Sequence, residues 1–174
     1  IKEGLQSWDL SGIHFVSLTN VLDFGETGKG KLGKVQLEVL KKDLAAQKRD
    51  TPIVVFTHIP LYDLYPEWGW ATSDSAQVLS MLSRFSSVTV LSGHIHQVIQ
   101  HQEGHIRFQT AASTAFPLPF PGQGEKPNPV KLPEKDLRRS WKVLAEPLVE
   151  TPAILVMPIR KRRLLFQSSR KSMP

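Results

Sequence analysis

Apolar residues gather along this chain in short runs, and the spacing within each run predicts an element. Residues 12–19, GIHFVSLT, and 53–56, IVVF, are rich in β-branched and aromatic side chains, as strands buried in a sheet are. Residues 34–49 differ, because Leu37, Leu40 and Leu44 recur at helical spacing with lysines opposite. That segment predicts an amphipathic helix lying on the sheet, and Pro52 closes the connection. After the turn-rich stretch PLYDLYPEWGWATSD, Val78, Leu82 and Phe85 share one face of a second predicted helix, capped by Ser73 or Asp74. Residues 88–91 form another strand-like run. The succession strand, helix, strand, helix, strand predicts an α/β fold with a parallel sheet.

Past residue 96 the pattern changes. VIQHQ and HIRFQ flank Glu103-Gly104, a hairpin signal that adds antiparallel strands. Residues 116–133 hold six prolines, which no regular element tolerates, and predict an extended surface loop. A last apolar run at 153–159 contains Pro158 and predicts an edge strand. The organisation expected is therefore an α/β unit over residues 1–116, a Pro-rich loop over 117–140, and an edge strand with a basic tail over 141–174.

With 174 residues, the chain suits one core rather than two. No apolar run reaches the roughly 18 residues of a membrane span. The sequence starts at Ile1 rather than Met, so the expectation is a fragment whose true start lies upstream, and no compartment is assigned. The absence of cysteine excludes thiolate ligands and leaves His, Asp, Glu, Asn or backbone oxygen for any metal. Residues 1–125 carry 10 Lys and Arg against 12 Asp and Glu, whereas residues 126–174 carry 12 against 4. The basic excess thus belongs to the tail, notably Arg160, Lys161, Arg162 and Arg163. A solvated charged end is favoured over a nucleic-acid contact there, because no aromatic residue interleaves with the cluster.

Two strand-like runs end in histidine: VVFTHIP delivers His58, and VLSGHIH delivers His94 and His96. In open α/β sheets ligands collect at the carboxyl ends of parallel strands. One strand-helix-strand crossover separates the two runs, which makes their ends candidate neighbours. Gly93 allows a sharp turn there. Convergence of His58, His94 and His96 on a metal is the reading favoured over histidines that serve structure alone.

The strings Val55-Phe56-Thr57-His58 and Gly93-His94-Ile95-His96 resemble the last two metal-binding signatures, Val-x-x-His and Gly-His-x-His, of the calcineurin-like metallophosphoesterase superfamily. The resemblance spans about residues 8–116. It implies part of an αββα sandwich, with His58 and His94 on a second metal ion and His96 on a first. It also implies two divalent or trivalent ions (Mn, Fe or Zn), a phosphate-ester substrate and hydrolytic chemistry. Asp-x-His, Gly-Asp-x-x-Asp and Gly-Asn-His-Asp/Glu, which such members carry in the first half of the domain, do not occur in this sequence. Asp23-Phe24-Gly25 reads as a loop, not a variant of the first signature.

The expectation is a C-terminal half-domain whose remaining ligands belong to a missing N-terminal half. Alone it is expected to be close to inactive, with apolar sheet surface left uncovered. The alternative is a non-catalytic metal-binding or interaction module. His14, His101 and His105 read as exposed or hydrogen-bonded side chains. Trp68 and Trp70 suit a cleft lining or loop packing equally.

Overall fold

The computed structural model describes residues 4–24, 29–113, 116–123 and 125–129. The edge strand expected at 153–159 and the basic tail lie outside them. Six strands, β1 (Leu5–Leu10), β2 (Ile13–Leu18), β3 (Ile53–Thr57), β4 (Val88–Ser92), β5 (Gln100–Glu103) and β6 (Ile106–Thr110), form one sheet in the order β1-β2-β3-β4-β6-β5. The four central strands are parallel, and the edge strands β1 and β5 pair antiparallel. Helices α1 (Gly33–Ala45) and α2 (Ser75–Leu82) make the crossovers. The α/β class and the strand-helix alternation expected from the sequence are present.

Side chains alternate along each strand, so β2 and β3 send Val16, Leu18, Ile53 and Val55 to one face. There they join Leu37, Leu40 and Leu44 of α1, Val78 and Leu82 of α2, and Phe85 in a single core. Removing each such side chain from water stabilises the fold by about 1.5 to 3 kcal/mol. Phe85, placed on the second helix by spacing, is buried just beyond its end. On the other face Trp8, Phe15 and Phe56 lie nearly parallel, with centroids 5.4 Å apart for Trp8 and Phe15 and 6.3 Å for Phe15 and Phe56. Trp8 remains 43% exposed.

Strand β1 has no counterpart in the sequence reading, because the apolar residues of LQSWDL are scattered among polar ones and the strand is largely exposed. Its partner selects it. Leu10 pairs with Ile13 across Ser11 and Gly12, both with positive φ (53° and 79°), as a two-residue hairpin turn requires. At the other edge the Glu103-Gly104 hairpin forms, and its second strand, β6, docks parallel on β4.

Helix α1 is shorter than the expected 34–49. Its ends are closed from the α2 region instead of by its own side chains. Asp74 does not cap α2 with a side-chain hydrogen bond. Its carboxylate accepts from the amides of Leu32 (3.1 Å) and Gly33 (2.8 Å) at the start of α1. Arg84 donates to the carbonyls of Leu44 (2.8 Å) and Gln47 (2.5 Å) at its end. An anion at the N-terminus and a cation at the C-terminus satisfy groups the helix leaves unpaired and suit its dipole.

Tyr62 is buried in the core, and its hydroxyl has no hydrogen-bond partner among the described residues. Burial also raises its pKa. An unsatisfied buried polar group costs about 1 to 3 kcal/mol, so Tyr62→Phe is expected to raise stability by about 1 kcal/mol. Urea denaturation measures this, and a loss of stability would show that the hydroxyl is satisfied after all.

Candidate metal centre

Strands β3 and β4 are parallel neighbours in a register that sets Thr57 beside Ser92. The residues that follow, His58 and Gly93-His94-Ile95-His96, therefore leave the sheet side by side. The Gly93 amide donates to the His58 carbonyl (3.0 Å) and ties the two loops. His94 and His96 both adopt positive φ (67° and 55°), a region non-glycine residues enter at a cost. Between them Ile95 is fully buried and anchors the turn.

The His94 Nδ1 atom lies 3.3 Å from His58 Nε2, with the rings at 72° to each other and centroids 5.2 Å apart. Burial, followed by the fields of His58 and His96, pushes the His94 pKa down to about 4. Burial, then His96, also lowers that of His58. Both rings are therefore neutral at pH 7, the state in which imidazole offers a lone pair. Two nitrogens bound to one zinc-like ion at 2.0 to 2.1 Å lie within roughly 3 to 4 Å of each other, so this pair fits a shared cation.

His96 is engaged differently. Its Nδ1 donates to the Phe116 carbonyl (2.7 Å), and its ring meets that of Phe116 edge-on at 4.8 Å. Because a carbonyl only accepts, Nδ1 carries a proton, and Nε2 is the ring nitrogen left for other contacts. Among the described residues no group of three or more His, Cys, Asp or Glu side chains is arranged to hold a metal ion. What the described residues bring together is a pair of imidazole nitrogens, with His96 beside them.

Phe116, Leu118 and Pro119, at the start of the Pro-rich segment, run beside the second histidine loop. Gln97, itself buried, donates to the carbonyls of Leu118 (2.8 Å) and Pro119 (2.7 Å). Trp70 is 1% exposed and packs edge-on against Trp68 at 4.9 Å, so loop packing accounts for it. Asp23 faces Lys31 at 3.4 Å and Asp63 faces Lys29 at 2.7 Å. His101 stacks on Tyr62 and meets Glu103, and His105 donates to the Ser83 carbonyl.

The sequence reading passed over the polar residues beneath the histidines. Asn20, Thr57, Thr72 and Ser92 form a buried or part-buried hydrogen-bond network under the loops. The available signal was the rule that found His58: a polar residue where a strand run ends.

No family model and no curated protein matches the sequence. Among solved structures the fold is similar to a dimetal phosphatase from Danio rerio, at 16% identity and a TM-score of 0.49 over 62% of this chain and 48% of that one. It is also similar to a 5'-nucleotidase from Candida albicans SC5314, at 13% identity and a TM-score of 0.40 over 63% of this chain and 21% of that one. The chain spans about half the length of the first and about a fifth of the second.

Proposed function

We propose that this chain is the metal-binding part of a phosphate-ester hydrolase, in which His58 and His94 hold one ion and His96 another. The observation that supports this reading is the 3.3 Å approach of two neutral imidazole nitrogens across the tips of adjacent parallel strands. Carboxylate and further ligands come from polypeptide outside this sequence, in keeping with the missing Asp-x-His and Gly-Asn-His strings. Bound ions supply positive charge that offsets the negative charge developing on a phosphoryl group. The chain's own contribution is positional. Ile95 and the Gly93–His58 backbone bond hold the rings in place, the Phe116 carbonyl sets the His96 tautomer, and the carbonyls of Leu118 and Pro119 tie down the adjoining Gln97.

Calorimetric titration with Zn²⁺ tests the half-site. The 174-residue chain is expected to bind, and His58→Ala or His94→Ala to weaken binding by about tenfold or more. Binding unaffected by both substitutions defeats the proposal.

A second reading, metal binding without catalysis, draws on the lack of a third grouped ligand among the described residues. Hydrolysis of p-nitrophenyl phosphate with Mn²⁺, by the chain extended with its upstream coding sequence, separates the two. Turnover that depends on His94 supports the hydrolase. Its absence, with Zn²⁺ binding intact, supports the binding module.

A further inference from the structure

We infer that Asn20 is a positioning residue for the His58–His94 pair and acts through the backbone of Ile59. Asn20 follows β2 and is completely buried. Its carboxamide grips the residue next to His58 from both sides: Oδ1 accepts from the Ile59 amide (3.2 Å) and Nδ2 donates to the Ile59 carbonyl (2.8 Å). Nδ2 also donates to Thr72 Oγ1 (2.7 Å), whose hydroxyl passes on to the Pro60 carbonyl (3.0 Å). A side-chain amide that satisfies both polar groups of one peptide residue holds that residue's position and orientation.

The same carbonyl connects to the second histidine loop. Thr57 Oγ1 donates to the Ile59 carbonyl (2.9 Å) and lies 2.8 Å from Ser92 Oγ, which precedes Gly93-His94. A continuous polar path therefore runs from Asn20 through Ile59 and Thr57 to the start of the Gly-His-x-His turn. Asn20 is rigidly based, because the buried Gln36 side chain bonds both the amide and the carbonyl of Thr19 at 2.8 Å. The exposed ring of His58 has few restraints of its own; the buried amide behind it supplies them. Asp, the nearest isostere, keeps the acceptor toward the Ile59 amide and lacks both donated bonds.

The consequence for metal binding rests on the function proposed above, whereas the positioning does not. The experiment follows ring-proton contacts between His58 and His94 by NMR in the metal-free 174-residue chain, alongside Zn²⁺ titration. In Asn20→Ala the His58–His94 contact is expected to disappear while the Val55–Val90 cross-strand contact persists, and Zn²⁺ affinity to fall about tenfold, as for other residues that orient ligands. In a His58→Ala background the same substitution is expected to cost clearly less affinity than in the wild type, since the pair it aligns is already broken. A purely structural role would weaken both backgrounds alike. Should Asn20→Ala fail to fold, Asn20→Asp gives the same readouts. An undisturbed ring contact, or equal losses in the two backgrounds, overturns the inference. A wild-type chain that binds no Zn²⁺ but loses the ring contact on substitution upholds the positioning role and removes the phosphoesterase reading.

Discussion

Gly30→Ala is expected to destabilise the chain by about 2 to 3 kcal/mol, the cost of forcing volume into a closed interior. A β-carbon at residue 30 would sit 2.4 Å from the Asn20 carbonyl oxygen and 2.6 Å from Ile59 Cδ1. The first obstacle is backbone and cannot rotate away. The surrounding bonds leave no slack: the Gly30 amide donates to the Ala71 carbonyl (3.1 Å), the Gly30 carbonyl accepts from the Ser73 amide (2.8 Å), and the Lys31 amide donates to the Asn20 carbonyl (3.2 Å). Relief therefore means displacing Asn20 or Ile59, and with them the segment that carries His58. Urea denaturation at neutral pH reads the stability, and a change below about 0.5 kcal/mol, the size of an ordinary surface substitution, would refute the packing argument.

The second large effect is expected at His14 and depends on pH. This ring is 2% exposed, with Nδ1 at 2.8 Å from Asp9 of β1 and Nε2 at 2.8 Å from Asp43 of α1. Gln47 approaches Nδ1 at 3.0 Å, and Ser7 donates to the other oxygen of Asp43 at 2.6 Å. Desolvation, the largest single influence, lowers the pKa, but the hydrogen bonds and charges of the two carboxylates together outweigh it, and the net shift is upward. The folded state thus binds a proton more tightly than the unfolded chain. The stability this contributes is fully present below the ordinary value of 6.5 and is lost as pH rises through the raised value.

His14→Ala is accordingly expected to cost about 2 kcal/mol at pH 6, the scale of hydrogen bonds to a charged group, and distinctly less at pH 9. Equal costs at the two pH values would contradict a charged clamp. His94 works in the opposite sense: its folded pKa is lowered to about 4, so its contribution is present above 6.5 and is lost as pH falls from 6.5 toward about 4.

The strand tips are legible in the sequence, because IVVF and VTVL are runs rich in β-branched and apolar residues and such runs end where polar side chains take over. The order strand, helix, strand then made His58 and His94 neighbours. His14 reads as exposed or hydrogen-bonded and is hydrogen-bonded, but its partners are not legible, since they lie 5 and 29 residues away and one is on β1, which has no continuous apolar run. Asp74, with Ser73 one of two candidate caps of α2, holds the N-cap position there but gives its carboxylate to another helix, at Gly33, 41 residues earlier. That exchange depends on how α1 and α2 lie together, which local preference does not encode.

The order of apolar and polar residues established an α/β sheet with histidines at the ends of two adjacent parallel strands, because burial dictates period and period dictates element. It did not establish which ring nitrogens meet. That depends on the β3–β4 register, on left-handed backbone at His94 and His96 that residue type does not announce, and on a Phe116 carbonyl that draws His96 to its own partner. Distances of this kind arise when the packed layers hold remote segments against one another, since a few tenths of an ångström in a loop are decided by everything that loop touches.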